Sequence, residues 1–273
     1  MASRAGNLAR SAASGKVPEG LNEVEATDHP GTMPAVLVHG VPDTHRLWDK
    51  LRTHLSRRDV LTPALPGFGC PVPAGFPATK EAYVDWLAAE IERIGEPVDL
   101  VGHDWGSLLV QRVVSLRPDL IRTWACGNGP IDREYVWHDL AQQWQTPSVG
   151  EAIMTAMTTD ALAEGLPAGG VPAADARAVA EHVDDVMKDC ILRLYRSAVG
   201  VGEEWEDGVA RITRPALILW GRDDPYVAPR FAERLAARVR GELVLFDGCG
   251  HWWPHERPRE ATEALERFWR RHG

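Results

Sequence analysis

The sequence predicts an α/β protein with a mostly parallel sheet flanked by helices and a single helical cap insertion. Short apolar runs alternate with segments of helical periodicity in both halves of the chain, a pattern typical of parallel strands joined by crossover helices. Between the two halves, residues 131–213 show helical periodicity and almost no β-branched runs. The unusual polar clusters follow the ends of predicted strands, where sheets of this kind bind ligands.

Six apolar runs predict buried strands, because each is short and is bounded by turn residues or by a helical pattern. These runs are 33–39, 60–65, 98–102, 123–126, 216–220 and 242–246. Four further segments carry apolar residues at helical spacing, which predicts amphipathic helices. These segments are 79–94, 107–116, 229–239 and 259–271. Gly95 and Pro118 supply the stop signals of the first two helices.

The alternation of patterns divides the chain into four predicted segments. They are a flexible N-terminal lead (1–18), a first part of the core (19–130), a helical cap (131–213) and a second part of the core (214–273). The lead is basic and lacks the apolar block of a secretory signal. The Gly- and Pro-rich stretch 165–174 is expected to break the cap helices near their middle.

Composition excludes several classes of protein. The chain has 273 residues, of which 44% are hydrophobic, enough for one sizeable core. Its net charge of −9 disfavours nucleic acid as a partner, and no charge-free apolar run is long enough to span a membrane. Four widely spaced cysteines fit neither a zinc site nor a disulfide framework, so we expect a cytoplasmic protein with reduced thiols. A monomer and a homodimer both stay open.

The most informative motif is Gly102-His103-Asp104-Trp105-Gly106, which lies between a predicted strand and a predicted helix. It has the form of a nucleophile elbow, with glycines on either side of a strained central residue. A carboxylate that attacks a saturated carbon forms an alkyl ester that water can hydrolyse, whereas a serine would form an ether. Asp104 therefore predicts displacement at an sp3 carbon. The alternative role for Asp104 is a helix N-cap.

Two later strand ends supply partners for this nucleophile. His251 follows the last predicted strand, and Asp223 and Asp224 follow the strand before it. The chain order of nucleophile, acid and histidine predicts His251 as the general base, oriented by Asp224 with Asp223 in reserve. The turn after the first strand, HGVP, predicts an oxyanion hole formed by the backbone N–H groups of Val41 and Trp105.

Together these motifs resemble the α/β-hydrolase superfamily, within its epoxide hydrolase and haloalkane dehalogenase branch. The matching motifs are HGVP, LPGFG, GHDWGS, WGRDDP and GHWWPHERP, running from about residue 33 to the C-terminus. The resemblance implies that Asp104 is the nucleophile, that Asp224 and His251 form the charge pair, and that residues 131–213 are the cap. It also implies that neither a metal nor an organic cofactor is needed.

The two branches of this family differ in what the leaving group requires. An epoxide oxygen needs proton donors, which the family supplies from the cap. Tyr195 fits this role, together with Tyr135 or, in place of Tyr135, its neighbours Trp137 and His138. A dehalogenase holds the halide with the Trp after the nucleophile and with a second Trp or the Asn of HGNP, where this chain has a valine. The resemblance therefore predicts an epoxide hydrolase that forms a vicinal diol, with a haloalkane dehalogenase as the alternative.

Two alternatives come from other classes: a non-catalytic binder built on the hydrolase fold, and a serine esterase using Ser107. The complete set of nucleophile, acid and histidine disfavours the first, and the lack of flanking glycines at Ser107 disfavours the second. Tryptophan is over-represented, and six of the eleven are expected near the site: Trp48, Trp105, Trp137, Trp144, Trp252 and Trp253. They predict a wide aromatic pocket for an apolar small molecule, such as a bulky aromatic epoxide.

Overall fold

The computed structural model of the protein describes residues 34–272. The predicted lead 1–18, residues 19–33 of the first core segment and the start of the first predicted strand lie outside the described residues. Six parallel strands form one sheet in the order β2-β1-β3-β4-β5-β6. They are β1 (Ala35–Val38), β2 (Val60–Leu61), β3 (Val98–His103), β4 (Ile121–Gly127), β5 (Ala216–Gly221) and β6 (Glu242–Phe246). The prediction of a parallel α/β sheet is confirmed.

The helices follow the strands in the expected alternation. They are α1 (Asp49–His54), α2 (Lys80–Ile94), α3 (Trp105–Leu116), α4 (Asp139–Gln145), α5 (Val149–Ala156), α6 (Thr159–Gly169), α7 (Ala173–Ala180), α8 (Asp185–Ser197), α9 (Val201–Val209), α10 (Arg230–Val239), α11 (Trp253–Glu256) and α12 (Pro258–His272). None of the helices within residues 34–272 combines the length and the apolarity that a bilayer crossing requires.

Local signals explain the ends of the best-predicted helix, α2. The hydroxyl of Thr79 accepts a hydrogen bond from the N–H of Ala82 at the N-terminus, and Gly95 ends the helix at φ 84°. The edge strand β2 is shorter than the predicted 60–65. Pro63 lacks the N–H that a longer ladder would need, so pairing with β1 stops after two residues.

Side chains of the strands alternate between two apolar layers. In β1, Val36 and Val38 belong to the cluster that α2, α3 and α10 cover, whereas Ala35 and Leu37 belong to the cluster that α1 and α12 cover. The sheet is therefore buried on both faces, and its chemistry is confined to the carboxyl ends of its strands.

Helices α4–α9 all lie between β4 and β5, within the predicted cap segment 131–213. The predicted break at 165–174 is wrong in extent, because α6 continues through Pro167 to Gly169 and α7 begins at Ala173. The buried side chain of Leu166 anchors the last turn of α6, so tertiary packing outweighs the local Gly and Pro signal. The last helix of the segment, α9, packs on α3.

Candidate active site

Asp104 lies at a sharp turn between β3 and α3, with φ 54° and ψ −122°. A positive φ is strained for a residue other than glycine and is typical of functional sites. A Cβ at Gly102 would lie 2.3 Å from the carbonyl oxygen of Gly106, and one at Gly106 would lie 2.1 Å from that of Val38. Glycine at these two positions thus allows β3 to pack against the start of α3, and α3 against β1. The side chain of Asp104 makes no capping hydrogen bond to α3, so the N-cap alternative is wrong.

The turn after β1 approaches the carboxylate of Asp104 closely. The backbone N–H of Val41 donates to Asp104 Oδ1 at 2.6 Å. A Cβ at Gly40 would lie 2.2 Å from the same oxygen, so only glycine fits there. Because α3 begins at Trp105, the backbone N–H of Trp105 belongs to the first turn of a helix whose dipole favours negative charge. These two amides are the predicted oxyanion hole.

The three predicted catalytic side chains come together. His251 Nε2 lies 3.5 Å from Asp104 Oδ2, and His251 Nδ1 lies 2.9 Å from Asp224 Oδ2. Asp224 is 8% exposed, whereas Asp223 is exposed to solvent, so the structure places Asp224 and not the reserve beside the base. The three residues that follow one another in the sequence order nucleophile, acid and histidine therefore contact one another, with His251 between Asp104 and Asp224.

The charges around His251 control its protonation. Burial alone would lower its pKa, but the two carboxylates Asp224 and Asp104 outweigh burial and raise the pKa to about 10. Burial alone would likewise raise the pKa of Asp224, but His251 and then Asn128 hold it below its usual value. Esterification of Asp104 would remove one of the two negative charges, which lowers the pKa of His251 and frees its Nε2 to accept a proton.

Asn128 is a site residue that sequence reasoning missed. Its Nδ2 donates to Asp224 Oδ2 at 2.6 Å, and its Oδ1 accepts from the N–H of Gly221 at 3.3 Å. The N–H groups of Tyr226 and Val227 donate to the other oxygen of Asp224. The acid is thus fixed in orientation by four donors, counting His251. The available signal was the position of Asn128 directly after a predicted strand.

A cavity opens above Asp104, between the ends of the strands and the helices α4, α6 and α8. Most of the predicted site residues line it: Val41, Asp104, Trp105, Tyr135, Trp137, His138, Trp144, Tyr195, His251 and Trp252. The remaining wall is mainly apolar and includes Met157, Leu162, Leu166 and Ile191 from the insertion. A mainly apolar wall around the carboxylate of Asp104 and the imidazoles of His251 and His138 favours an apolar substrate with a single reactive centre.

Tyr195, on α8, is 3% exposed and contacts three tryptophan rings at centroid distances of 4.9–5.3 Å. Burial, followed by the charge of Asp104, raises its pKa well above the ordinary value. Burial and then Asp104 also raise the pKa of Tyr135. Both phenols therefore keep their protons, and both lie close enough to Asp104 to feel its negative charge.

The neighbours of Tyr135 differ in what they can donate. The indole N–H of Trp137 donates to the carbonyl oxygen of Ala198 at 3.0 Å, so the prediction of Trp137 as a leaving-group donor is wrong. His138 Nδ1 accepts from the N–H of Ala141 at 3.3 Å as the N-cap of α4. Burial lowers the pKa of His138, so its ring is neutral and carries its proton on Nε2. His138 thus remains a candidate donor.

Two tryptophans lie elsewhere than predicted. Trp253 begins α11 and is fully buried beneath the sheet, where its ring contacts Trp48 at 5.8 Å and His103 at 5.7 Å. Neither Trp253 nor Trp48 lines the cavity. Both residues are close in sequence to a site motif, but this did not place them in the cavity. In the case of Trp253, α11 turns the side chain away from that of its neighbour Trp252.

Trp252 does line the cavity, and its indole N–H donates to the buried carboxylate of Asp43 at 2.9 Å. Burial, above all, raises the pKa of Asp43 to about 7.

Tyr226 was also missed by sequence reasoning. Its ring lies 5.2 Å from that of His251 and 5.0 Å from that of His138.

Ser107 does not face the cavity. Its hydroxyl donates to the carbonyl oxygen of Gly129 at 2.7 Å and accepts from Gln111 at 3.1 Å. A serine held in this way is not a nucleophile, which removes support from the esterase alternative. In the described part of the chain, no group of three His, Cys, Asp or Glu side chains is arranged to hold a metal ion.

Comparisons with known proteins identify the family of the chain. The sequence profile of the alpha/beta hydrolase family matches residues 35–265. Epoxide hydrolase A of Mycobacterium tuberculosis is 26% identical, over 91% of this chain and 93% of its own length. The (E)-2-((N-methylformamido)methylene)succinate hydrolase of Acinetobacter baylyi is 24% identical, over 85% and 89%. The crystal structure of a putative ancestral haloalkane dehalogenase superposes with a TM-score of 0.74 at 21% identity, over 93% and 98%.

Proposed function

This chain belongs to the alpha/beta hydrolase family, and on that premise we propose that it is an epoxide hydrolase that opens an oxirane to a vicinal diol. The observation that carries the proposal is the placement of the Asp104 carboxylate. One oxygen is held by Val41 N–H, the other lies beside His251, and the buried phenol of Tyr195 lines the same cavity.

In the first step, Asp104 Oδ2 attacks an epoxide carbon. The carbon–oxygen bond of the ring breaks, and the departing oxygen takes a proton from Tyr195 or from its partner, Tyr135 or His138. Oδ1 stays in the contact with Val41 N–H and becomes the carbonyl oxygen of the ester. The enzyme then carries a hydroxyalkyl ester on Asp104.

Before the second step, His251, whose pKa falls once Asp104 is esterified, gives its proton to the cap donor that protonated the epoxide oxygen. His251 Nε2 then takes a proton from water, and the resulting hydroxide attacks Cγ of Asp104. Negative charge develops on Oδ1, where the N–H groups of Val41 and Trp105 stabilise it. The ester then breaks, and the diol leaves with the original Oδ2. Asp224 orients the ring and stabilises the imidazolium. As the ester breaks, the departing diol oxygen takes the proton of the newly attached hydroxyl group. Asp104 is then again a carboxylate beside a protonated His251, and the cycle has consumed one epoxide and one water.

Tyr195→Phe tests the proton donor that separates the two family branches. We expect diol formation from an aryl epoxide to fall by about 10²–10⁴-fold, because general acid catalysis contributes on that order. Alkylation of Asp104 by a bromoalkane needs no proton, so it should change by less than about threefold. Product analysis by chromatography with both substrates measures the two effects.

Tyr83→Phe is the matched control, since Tyr83 is also buried but donates to the carbonyl oxygen of Pro66, away from the cavity. It should retain diol formation. Unchanged diol formation in Tyr195→Phe, with Tyr135→Phe and His138→Gln also fully active, contradicts the proposed ring opening.

A haloalkane dehalogenase is the second candidate, and one observation favours it. The rings of Trp105 and Trp144 line the cavity. The indole N–H of Trp144 makes no hydrogen bond to a residue in the described range, and that of Trp105 lies beside the hydroxyl of Tyr195. Indole N–H groups of this kind are suited to a weakly hydrogen-bonded halide. Halide release from a bromoalkane with no diol from epoxides, abolished by Trp144→Phe, would select this alternative.

A further inference from the structure

The backbone of His251 is held from two sides. Its carbonyl oxygen accepts a hydrogen bond from His103 Nε2 at 2.8 Å, on the elbow side. Its N–H donates to the carbonyl oxygen of Gly169 at 3.1 Å, at the end of α6 in the helical insertion. Burial lowers the pKa of His103 to about 3, so that ring stays a neutral donor. The backbone of His251 is thus held by the core through His103 and by the insertion through Gly169.

The approach of α6 to the base requires a glycine at its last position. A Cβ at Gly169 would lie 2.4 Å from Cζ3 of Trp252 and 2.9 Å from the hydroxyl oxygen of Tyr226. The next residue, Gly170, adopts φ 110° and ends the helix. On the other side, a Cβ at Gly250 would lie 2.9 Å from the carbonyl oxygen of Gly169. Glycines therefore let two backbones meet beside the catalytic histidine.

The same helix also contacts the substrate cavity. Leu162 and Leu166, on α6, line the cavity, and Gly169 follows Leu166 by three residues, which is about one helical turn. The carbonyl groups of the last turn of a helix lack partners within the helix, and they carry the negative end of its dipole. The bond from His251 N–H satisfies one of these carbonyls and fixes the base relative to the cavity wall.

We propose that Gly169 is a positioning residue for the general base, and that α6 must dock against the His251 loop for the Asp104 ester to be hydrolysed. The inference rests on the proposed two-step function and extends it to the insertion. Alkylation requires the nucleophile and a proton donor, but not the base. Hydrolysis requires His251 within reach of water and of Cγ of Asp104. A shift of α6 therefore slows the second step and not the first.

Gly169→Ala and Gly165→Ala form a matched pair on one helix. A Cβ at Gly165 would meet no described atom within 4 Å, so that substitution only raises helix propensity. In Gly169→Ala, we expect ester hydrolysis to slow by about tenfold to a hundredfold, because a displacement of about 1 Å in a catalytic group costs on that order. Ester formation should stay within about twofold of wild type in both variants. Rapid quench with intact-mass detection of the ester separates the two steps.

A second pair of variants, made in the Trp252→Phe protein, tests whether the contact with Trp252 causes the slower hydrolysis. Trp252→Phe removes the atom that the new Cβ would meet at 2.4 Å, so adding Gly169→Ala to Trp252→Phe should slow hydrolysis much less than adding it to wild type. If Gly169→Ala alone fails to fold, the effect of Gly169→Ala can still be measured in the Trp252→Phe protein. Equal slowing in both backgrounds, hydrolysis at the wild-type rate in Gly169→Ala, or equal slowing of both steps would overturn the proposal.

A titration of the His251 imidazole by NMR gives a readout that needs no substrate. Displacement of the base from its carboxylates should lower the pKa of His251 from about 10 towards its ordinary value in Gly169→Ala, but not in Gly165→Ala. An unchanged titration in Gly169→Ala contradicts the positioning role. Absence of any ester in wild type and in His251→Gln would instead contradict the proposed function, so the two failures are distinguishable.

Discussion

Asp104→Asn is expected to lower turnover of epoxides and haloalkanes alike by at least about 10⁴-fold, on the order found when a catalytic nucleophile is removed from other hydrolases. The amide is a poor nucleophile, yet it has the shape of the carboxylate and keeps an oxygen for the N–H of Val41. The fold should therefore persist. Steady-state product analysis measures the loss, and thermal unfolding verifies that the melting temperature stays close to that of wild type.

Asp223→Asn is the matched control, because Asp223 is an exposed acid next to Asp224, the acid proposed to orient His251. It should keep nearly full activity. Activity within about tenfold of wild type in Asp104→Asn, combined with loss of activity in Ser107→Ala, would contradict the assignment of Asp104 and restore the serine alternative.

His251→Gln is expected to stop the reaction after one turnover of ester formation. Without the base, hydrolysis should fall by about 10²–10⁴-fold, since general base catalysis contributes on that order. The alkylation step does not use His251 and should proceed. Intact mass spectrometry should then find the enzyme heavier by the whole mass of the epoxide, because ring opening expels no leaving group.

His54→Gln provides the control for this variant, because His54 is exposed on α1, away from the cavity. It should turn over normally and show no adduct. Full turnover in His251→Gln without any accumulated adduct would mean that another group performs the hydrolysis. A mass increase equal to that of the bromoalkane less hydrogen bromide would show the same ester reached from the alternative substrate class.

Local patterns in the sequence were sufficient to predict that the side chains of Asp104, Asp224 and His251 come together. The elbow is encoded by five consecutive residues around Asp104, and His251 and Asp224 each follow an apolar run that forms a strand. In a parallel sheet, all such strand ends meet at one edge, so chain order alone places these side chains together. The fold class follows from the same alternation of strands and helices.

Contacts between distant segments were not predictable from these patterns. The bond from Trp137 to the carbonyl of Ala198 depends on how the insertion folds on itself, and that from His251 to the carbonyl of Gly169 depends on how the insertion packs on the core. Trp253 is only two residues after His251, but α11 rotates it into the layer beneath the sheet. Asn128 reaches Asp224 across the sheet edge, over 96 positions of the chain.

The most direct test of the central claim is a single turnover of an epoxide in water enriched in heavy oxygen, with enzyme in excess. If Asp104 forms the ester, the first diol carries only ordinary oxygen, and the label enters the Asp104 carboxylate, where peptide mass analysis finds it. If water attacks the substrate directly, the diol is labelled in the first turnover and Asp104 is not. That second result would contradict the covalent mechanism proposed for this site.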